Sequence, residues 1–216
     1  MNKTIDKNGQ ELMIDYILGN MPEAKENSDL CQHLQYSINE KDSCTSGHCE
    51  RVAWYCHLIG KARNISEREL EVLTISALFH DVGKVLIPDE ILKKPGELSD
   101  SEMTLMRNHS LFGMKIIQEM GRFSDCLPLI LYHHERYDGK GYPYGLKGKS
   151  IPLLARIIAV ADAYDAMTAG RRYKASLEET EAVNRLLLGK GSQFDPRVVD
   201  DFISIVHPSY NVLYVH

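Results

Sequence analysis

The chain has 216 residues, 44% of them hydrophobic and 25% charged, with a formal net charge of −5. That is enough apolar material for one large core, and the acidic balance excludes a general nucleic-acid binder, which would carry basic charge. No apolar run is long enough to span a membrane, and the N-terminus lacks the apolar stretch and small-residue cleavage site of a signal peptide. The five cysteines, odd in number and without a C-x-x-C, suit reduced thiols in a cytoplasm.

In chain order, apolar periodicity predicts helices over 10–20, 29–40, 48–63, 67–79, 100–120, 125–134, 152–168, 176–189 and 196–206. Ser66-x-x-Glu69, Ser99-x-x-Glu102 and Ser176-x-x-Glu179 each resemble a capping box. Asp195-Pro196 sets a capping carboxylate before a first-turn proline. No alternation is long enough for more than a trivial hairpin, so the fold is expected to be all-α. A polar break at 21–28 separates an N-terminal helical segment, 1–28, from the main domain, 29–206, and a tail, 207–216. Two long loops interrupt the helices. Residues 82–98 read as an ordered loop with at most one short helix, and 135–151 as a second, rich in Gly and Pro. In the second loop Gly139 and Gly141 are expected to take backbone angles that other residues resist, with Pro143 stiffening the exit.

Both loops follow histidines. His48 extends the Val52, Tyr55, Cys56 and Ile59 stripe, and His80 extends that of Leu70, Leu73 and Ala77, with Asp81 adjacent. His109 falls between Met106 and Gly113 on a stripe that also holds Met103, Ile116 and Met120. His133 and His134 point with Ile130, and Leu154, Ile158 and Ala161 lead to Asp162 and Asp165. A lone histidine on an apolar face is ordinarily a satisfied core residue. Five helices each turning imidazole or carboxylate inward need a shared partner, because unpartnered burial would cost several kcal/mol. A metal pair supplies one, since neutral imidazole and carboxylate are its natural ligands. Five neutral histidines and two aspartates carry −2, so two dications would leave the site positive and attract an anionic phosphodiester.

The residues also resemble a known family. His80-Asp81 in "HDVGK" is similar to the signature of HD-domain metal-dependent phosphohydrolases. "HHERYDGKGYPYGLKGKSIPLLARIIAVADAYDAMT" resembles the HD-GYP subfamily, with Gly141-Tyr142-Pro143 intact. "GHCERV", "IPDEILKKPGELSDSE", "RNHSLFG" and "FDPRVV" agree in order and spacing, so the likeness runs from about Asp42 to Phe202. It implies a helical bundle around a dinuclear centre of iron or manganese, acting as a cyclic di-GMP phosphodiesterase. Carried over by residue, His48, His80, Asp81 and Asp162 would serve one metal. His109, His133 and His134 would serve the other, with Asp81 bridging. A metal-bound hydroxide would attack phosphorus, displace the 3′ oxygen and give linear pGpG or, further on, GMP.

The resemblance also implies that Lys84 meets the scissile phosphate, where the alternative is a solvent-facing loop lysine. Tyr142 would face the nucleotide, and Arg171 and Lys174 would grip phosphate or guanine edges, unless "RRYK" is a solvated basic turn. Glu135 and Asp165 would orient ligands, or serve as ordinary ion-pair partners. Cys44 stands where some members hold a third metal through a glutamate, so two metals are expected. Arg172 stands where proline is common. Competing readings are a non-catalytic nucleotide sensor or docking module, and a di-iron oxygenase on the same fold. The expected partners are cyclic di-GMP and, among proteins, a diguanylate cyclase, another signalling protein or a second copy. Polymeric nucleic acid and membrane are not expected.

Overall fold

The computed structural model describes residues 27–41, 47–169 and 176–208. The helix expected at 10–20, Cys44, Arg171, Arg172 and Lys174 lie outside these residues. The described elements are α1 (Ser28–Lys41), α2 (His48–Ala62), α3 (Glu67–Phe79), a 3-10 turn (Val82–Leu86) and α4 (Asp89–Leu92). Then follow α5 (Asp100–Arg107), α6 (His109–Glu119), a 3-10 turn (Ser124–Cys126) and α7 (Leu127–Tyr132). A third 3-10 turn (Gly148–Ser150) leads to α8 (Leu153–Thr168), α9 (Glu179–Leu188) and α10 (Pro196–Val206). Among the described residues there is no strand, only an isolated bridge between Lys190 and Phe194.

Helix α8 is the axis of the bundle and touches α2, α3, α7, α9 and α10. Its small and branched residues Ala155, Ile157, Ile158, Val160 and Ala161 are fully buried, which lets neighbouring helices approach on several sides. Tyr55, Tyr164 and Phe202 tie α2, α8 and α10 together with ring centres 4.9–5.7 Å apart. The Tyr164 hydroxyl and His207 Nε2, 2.6 Å apart, share a hydrogen bond at the end of α10.

Local chemistry sets the helix ends. Both parts of the capping box form at Ser66/Glu69 and at Ser99/Glu102, each worth about 1 kcal/mol. Asp195 accepts from Arg197 N ahead of Pro196. The box expected at Ser176 does not form, because α9 begins only at Glu179 with Glu178 as its cap. The single helix expected over 100–120 is two. It breaks at Asn108, and the buried face of α6 is His109, Gly113 and Ile117, while Met103 is 37% exposed. The 82–98 loop holds two short helical pieces rather than one. These breaks bring helix ends, and the histidines on them, to one place.

Candidate metal centre

Asp162 lies within α8, but the other six candidate ligands sit at helix ends. His48 opens α2, His80 caps the end of α3, and Asp81 follows it. His109 opens α6, His133 caps the end of α7, and His134 follows. Three of the imidazoles are aimed in the same way. Nδ1 of His80 donates to Ala77 O (2.7 Å), that of His109 to Met106 O (2.8 Å) and that of His133 to Ile130 O (2.7 Å). Each ring thus satisfies an orphan carbonyl of a helix end and turns Nε2 inward. His48 is held differently, with Nδ1 donating to Asp165 Oδ2 at 2.7 Å. Arg51 grips the same carboxylate through Nε (2.6 Å) and Nη2 (2.9 Å).

With Nδ1 carrying the one proton, the inward Nε2 of His80, of His109 and of His133 is a lone pair. Nε2 of His48 and of His80 is buried without a hydrogen-bond partner. His48 Nε2 lies 3.2 Å from Asp162 Oδ1, close enough for the charged ring to donate to that carboxylate when no cation is bound. His109 Nε2 and His133 Nε2 are 3.3 Å apart, with no proton between them when both Nδ1 atoms donate outward. Asp81 spans both groups. Its Oδ2 is 3.5 Å from His80 Nε2 and 3.9 Å from His48 Nε2, and its Oδ1 is 3.5 Å from His109 Nε2. Such converging lone pairs are unfavourable alone and fit divalent first-row ions. Two donor sets, each with all atoms within 4.8 Å of one another, are His48, His80, Asp162 and Asp81, His109, His133, His134. Cys49 joins His80 and Asp81 in a third such set. Burial and the Asp81 charge hold its thiol well above the ordinary range, which makes it the poorest donor of these.

The titration of these groups follows the same geometry. Burial, reinforced by His109, lowers His134 to about 3. Burial and His134 push His133 well below its ordinary value, and burial also lowers His109. These three stay neutral at pH 7. For His48 burial acts downward, but Asp162 and Asp165 outweigh it and raise the ring to about 9. Burial would raise Asp81, yet Lys84, His80 and His109 hold it well below the carboxylate range.

The other expected site residues take varied places. Lys84 Nζ lies 2.6 Å from Asp81 Oδ2, on the 3-10 turn that leaves the centre. Gly83 lets that turn dock, since a Cβ there would stand 1.9 Å from His109 O. The Tyr142 ring lies 4.8 Å from that of His134 and 6.4 Å from that of His109. Glu135 is buried and accepts from Tyr144 N (2.8 Å) and Leu146 N (3.0 Å), so it fixes the loop rather than a histidine. Gly139 adopts φ +83° as a turn requires, but Gly141, against expectation, does not have a positive φ. Gly141 is needed for space: a Cβ would stand 2.3 Å from Arg136 N and 2.6 Å from His134 O. Arg51 and Arg107 also belong to this neighbourhood, and neither is among the residues expected from sequence. Arg51, one turn after His48, was open to detection by spacing, whereas Arg107 was not.

This arrangement defines a class. A family model described as HD domain matches residues 32–198, and the chain belongs to that family. His80-Asp81 and the intact Gly141-Tyr142-Pro143 identify its HD-GYP branch. The chain is 40% identical over 187 residues to the cyclic di-GMP phosphodiesterase response regulator RpfG of Xanthomonas campestris, covering 85% of this chain and 50% of that one. It is 43% identical over 170 residues to a cyclic di-GMP phosphodiesterase of Pseudomonas aeruginosa, covering 78% and 41%. The chain therefore spans about half the length, or less, of these relatives. Among solved structures, a cyclic GMP-AMP-specific phosphodiesterase of V. cholerae superposes with a TM-score of 0.65 at 23% identity, covering 85% of this chain and 50% of that one. No helix among the described residues is long and apolar enough to cross a membrane.

Proposed function

We propose that the chain is a metal-dependent phosphodiesterase that hydrolyses cyclic di-GMP to linear pGpG and, in a further step, GMP. The observation that carries this is the convergence of five imidazoles and two carboxylates in two adjoining donor sets. His48, His80 and Asp162 would hold one ion, His109, His133 and His134 another, and Asp81 would reach both through its separate oxygens. Iron or manganese suits a nitrogen and oxygen donor set. Bound there, two such ions supply positive charge for a phosphoryl group and acidify water.

The protein's own groups do the rest. His109, His133 and His134 remain unprotonated at neutral pH, so their lone pairs stay available. Asp165, braced by Arg51, holds a proton on His48 Nδ1 and so aims Nε2 at the candidate metal site. Lys84 brings an ammonium to the Asp81 edge, where negative charge on a phosphoryl oxygen would be stabilised. Tyr142 covers His134 and offers an aromatic face to a nucleotide. Arg171 and Lys174 complete the proposed phosphate and guanine contacts. The relatives named for cyclic di-GMP hydrolysis support the choice of substrate. A cytoplasmic setting goes with this reading and is supported by the buried, free thiols of Cys31, Cys49 and Cys56.

The test is anaerobic incubation of the metal-loaded chain with cyclic di-GMP, followed by chromatography. Wild type is expected to release pGpG and Asp81→Asn is not. Intact cyclic di-GMP in both would overturn the reading.

A further inference from the structure

We infer that Arg107 is a base-reading residue which selects guanine over adenine at the mouth of the metal centre. This rests on the proposed phosphodiesterase activity. Three side chains step outward from the centre. The ring of His134 comes first, then Tyr142 at 4.8 Å, then the Arg107 guanidinium carbon 5.5 Å from the centre of the Tyr142 ring. The phosphate to be cut belongs at the metal ligands. In a cyclic dinucleotide the bases project away from the sugar-phosphate ring. A group two side chains out therefore meets a base.

Arg107 is fixed where it stands. It ends α5, whose start is set by the Ser99/Glu102 capping box. The carbonyl before it, Met106 O, accepts from the Nδ1 of His109 (2.8 Å), and its own carbonyl accepts from Ser110 Oγ (3.3 Å). The backbone of Arg107 is thus tied to a candidate ligand. Its side chain is exposed. Arg51, Arg63, Arg68, Arg136, Arg156 and Arg185 each pair with a carboxylate, whereas Arg107, like Arg122 and Arg197, has no such partner among the described residues.

A guanidinium drawn to an aromatic ring by cation–π attraction still has N–H donors to offer a ligand. Guanine offers O6 and N7, two adjacent acceptors that match those donors. Adenine offers N7 beside the N6 donor, which opposes them. The resulting preference comes from hydrogen-bond pattern, not from charge, because both cyclic dinucleotides carry the same two phosphodiesters.

The experiment uses the full metal-loaded chain. It measures KM for cyclic di-GMP and Ki for cyclic di-AMP as competitor, in wild type, Arg107→Ala and Arg107→Lys, with bound metal assayed in parallel. Arg107→Ala is expected to raise KM about tenfold or more while Ki changes by less than about threefold. Metal content stays at the wild-type level, and Arg107→Lys falls between the two because lysine still donates to O6 and N7. Equal fold-changes in KM and Ki would overturn the inference in favour of a simple phosphate-attracting charge, and so would an unchanged KM. Wild type that fails to cleave cyclic di-GMP would instead defeat the activity on which the inference rests.

Discussion

Nε2 of His109 and Nε2 of His133 face each other at 3.3 Å while both Nδ1 atoms donate to backbone carbonyls. Two lone pairs so placed repel unless a cation lies between or beside them. His133→Ala is therefore expected to lose the ion of its own donor set and keep the other. Elemental analysis should find about half the wild-type metal, and turnover should fall about a hundredfold or more. Wild-type metal content in this variant would contradict the ligand assignment.

Asp165 holds His48 from behind, and Arg51 holds Asp165. Asp165→Asn keeps the shape but removes the charge that fixes the His48 tautomer. The affinity of the His48, His80 and Asp162 set should drop about ten- to a hundredfold. Arg51→Ala should do the same more weakly. Chelator competition reads both, and unchanged affinity in Asp165→Asn would show that the contact only braces the fold.

The GYP loop separates steric need from conformational need. Gly141→Ala forces a Cβ against Arg136 N and His134 O, so the loop must move away from the histidine it covers. Large loss of turnover is expected. Gly148 has φ +57°, and a Cβ there would meet nothing within 4 Å. Gly148→Ala should therefore cost about 1 kcal/mol of stability and spare activity. Thermal melts and kcat/KM distinguish the two.

The histidines also set a pH dependence for the chelator-treated chain. His133 and His134 have folded values far below 6.5, so they stay neutral in the fold and charge on unfolding. Their stabilisation is complete above 6.5 and is lost as pH falls below it, for His134 down to about 3. The loss is about 1.4 kcal/mol per pH unit for each. His48, raised to about 9, acts in the opposite sense: its stabilisation is complete below 6.5 and is lost as pH rises through 9. Denaturant melts should find a stability maximum near pH 6.5, with a decline on either side. Stability that rises steadily toward acid would contradict these burial assignments.

Much of this was legible in the sequence because it is local. Capping boxes at Ser66 and Ser99 need only residues three apart, and the helix at Pro196–Val206 needs only Asp195-Pro196 and its apolar face. The histidines were legible because each continues an apolar stripe. What escaped depends on tertiary placement. The stripe through Met103 and Met106 runs straight past Asn108, where His109 turns back on the preceding helix end and breaks the element. Ser176 has the right spacing from Glu179, but the chain enters α9 two residues too late to use it. Gly141 has the sequence context of a conformational glycine and is a packing one. Arg107 shows its relation to Tyr142 only once a loop far downstream folds back over it.

The most direct test titrates Mn(II) or anaerobic Fe(II) into the chelator-stripped chain, reading bound metal and pGpG from the same samples. Formation of pGpG is predicted to rise as the second equivalent binds and to saturate at about two metals per chain. Full metal loading with cyclic di-GMP left intact would contradict a dinuclear phosphodiesterase centre, as would a full rate at one equivalent.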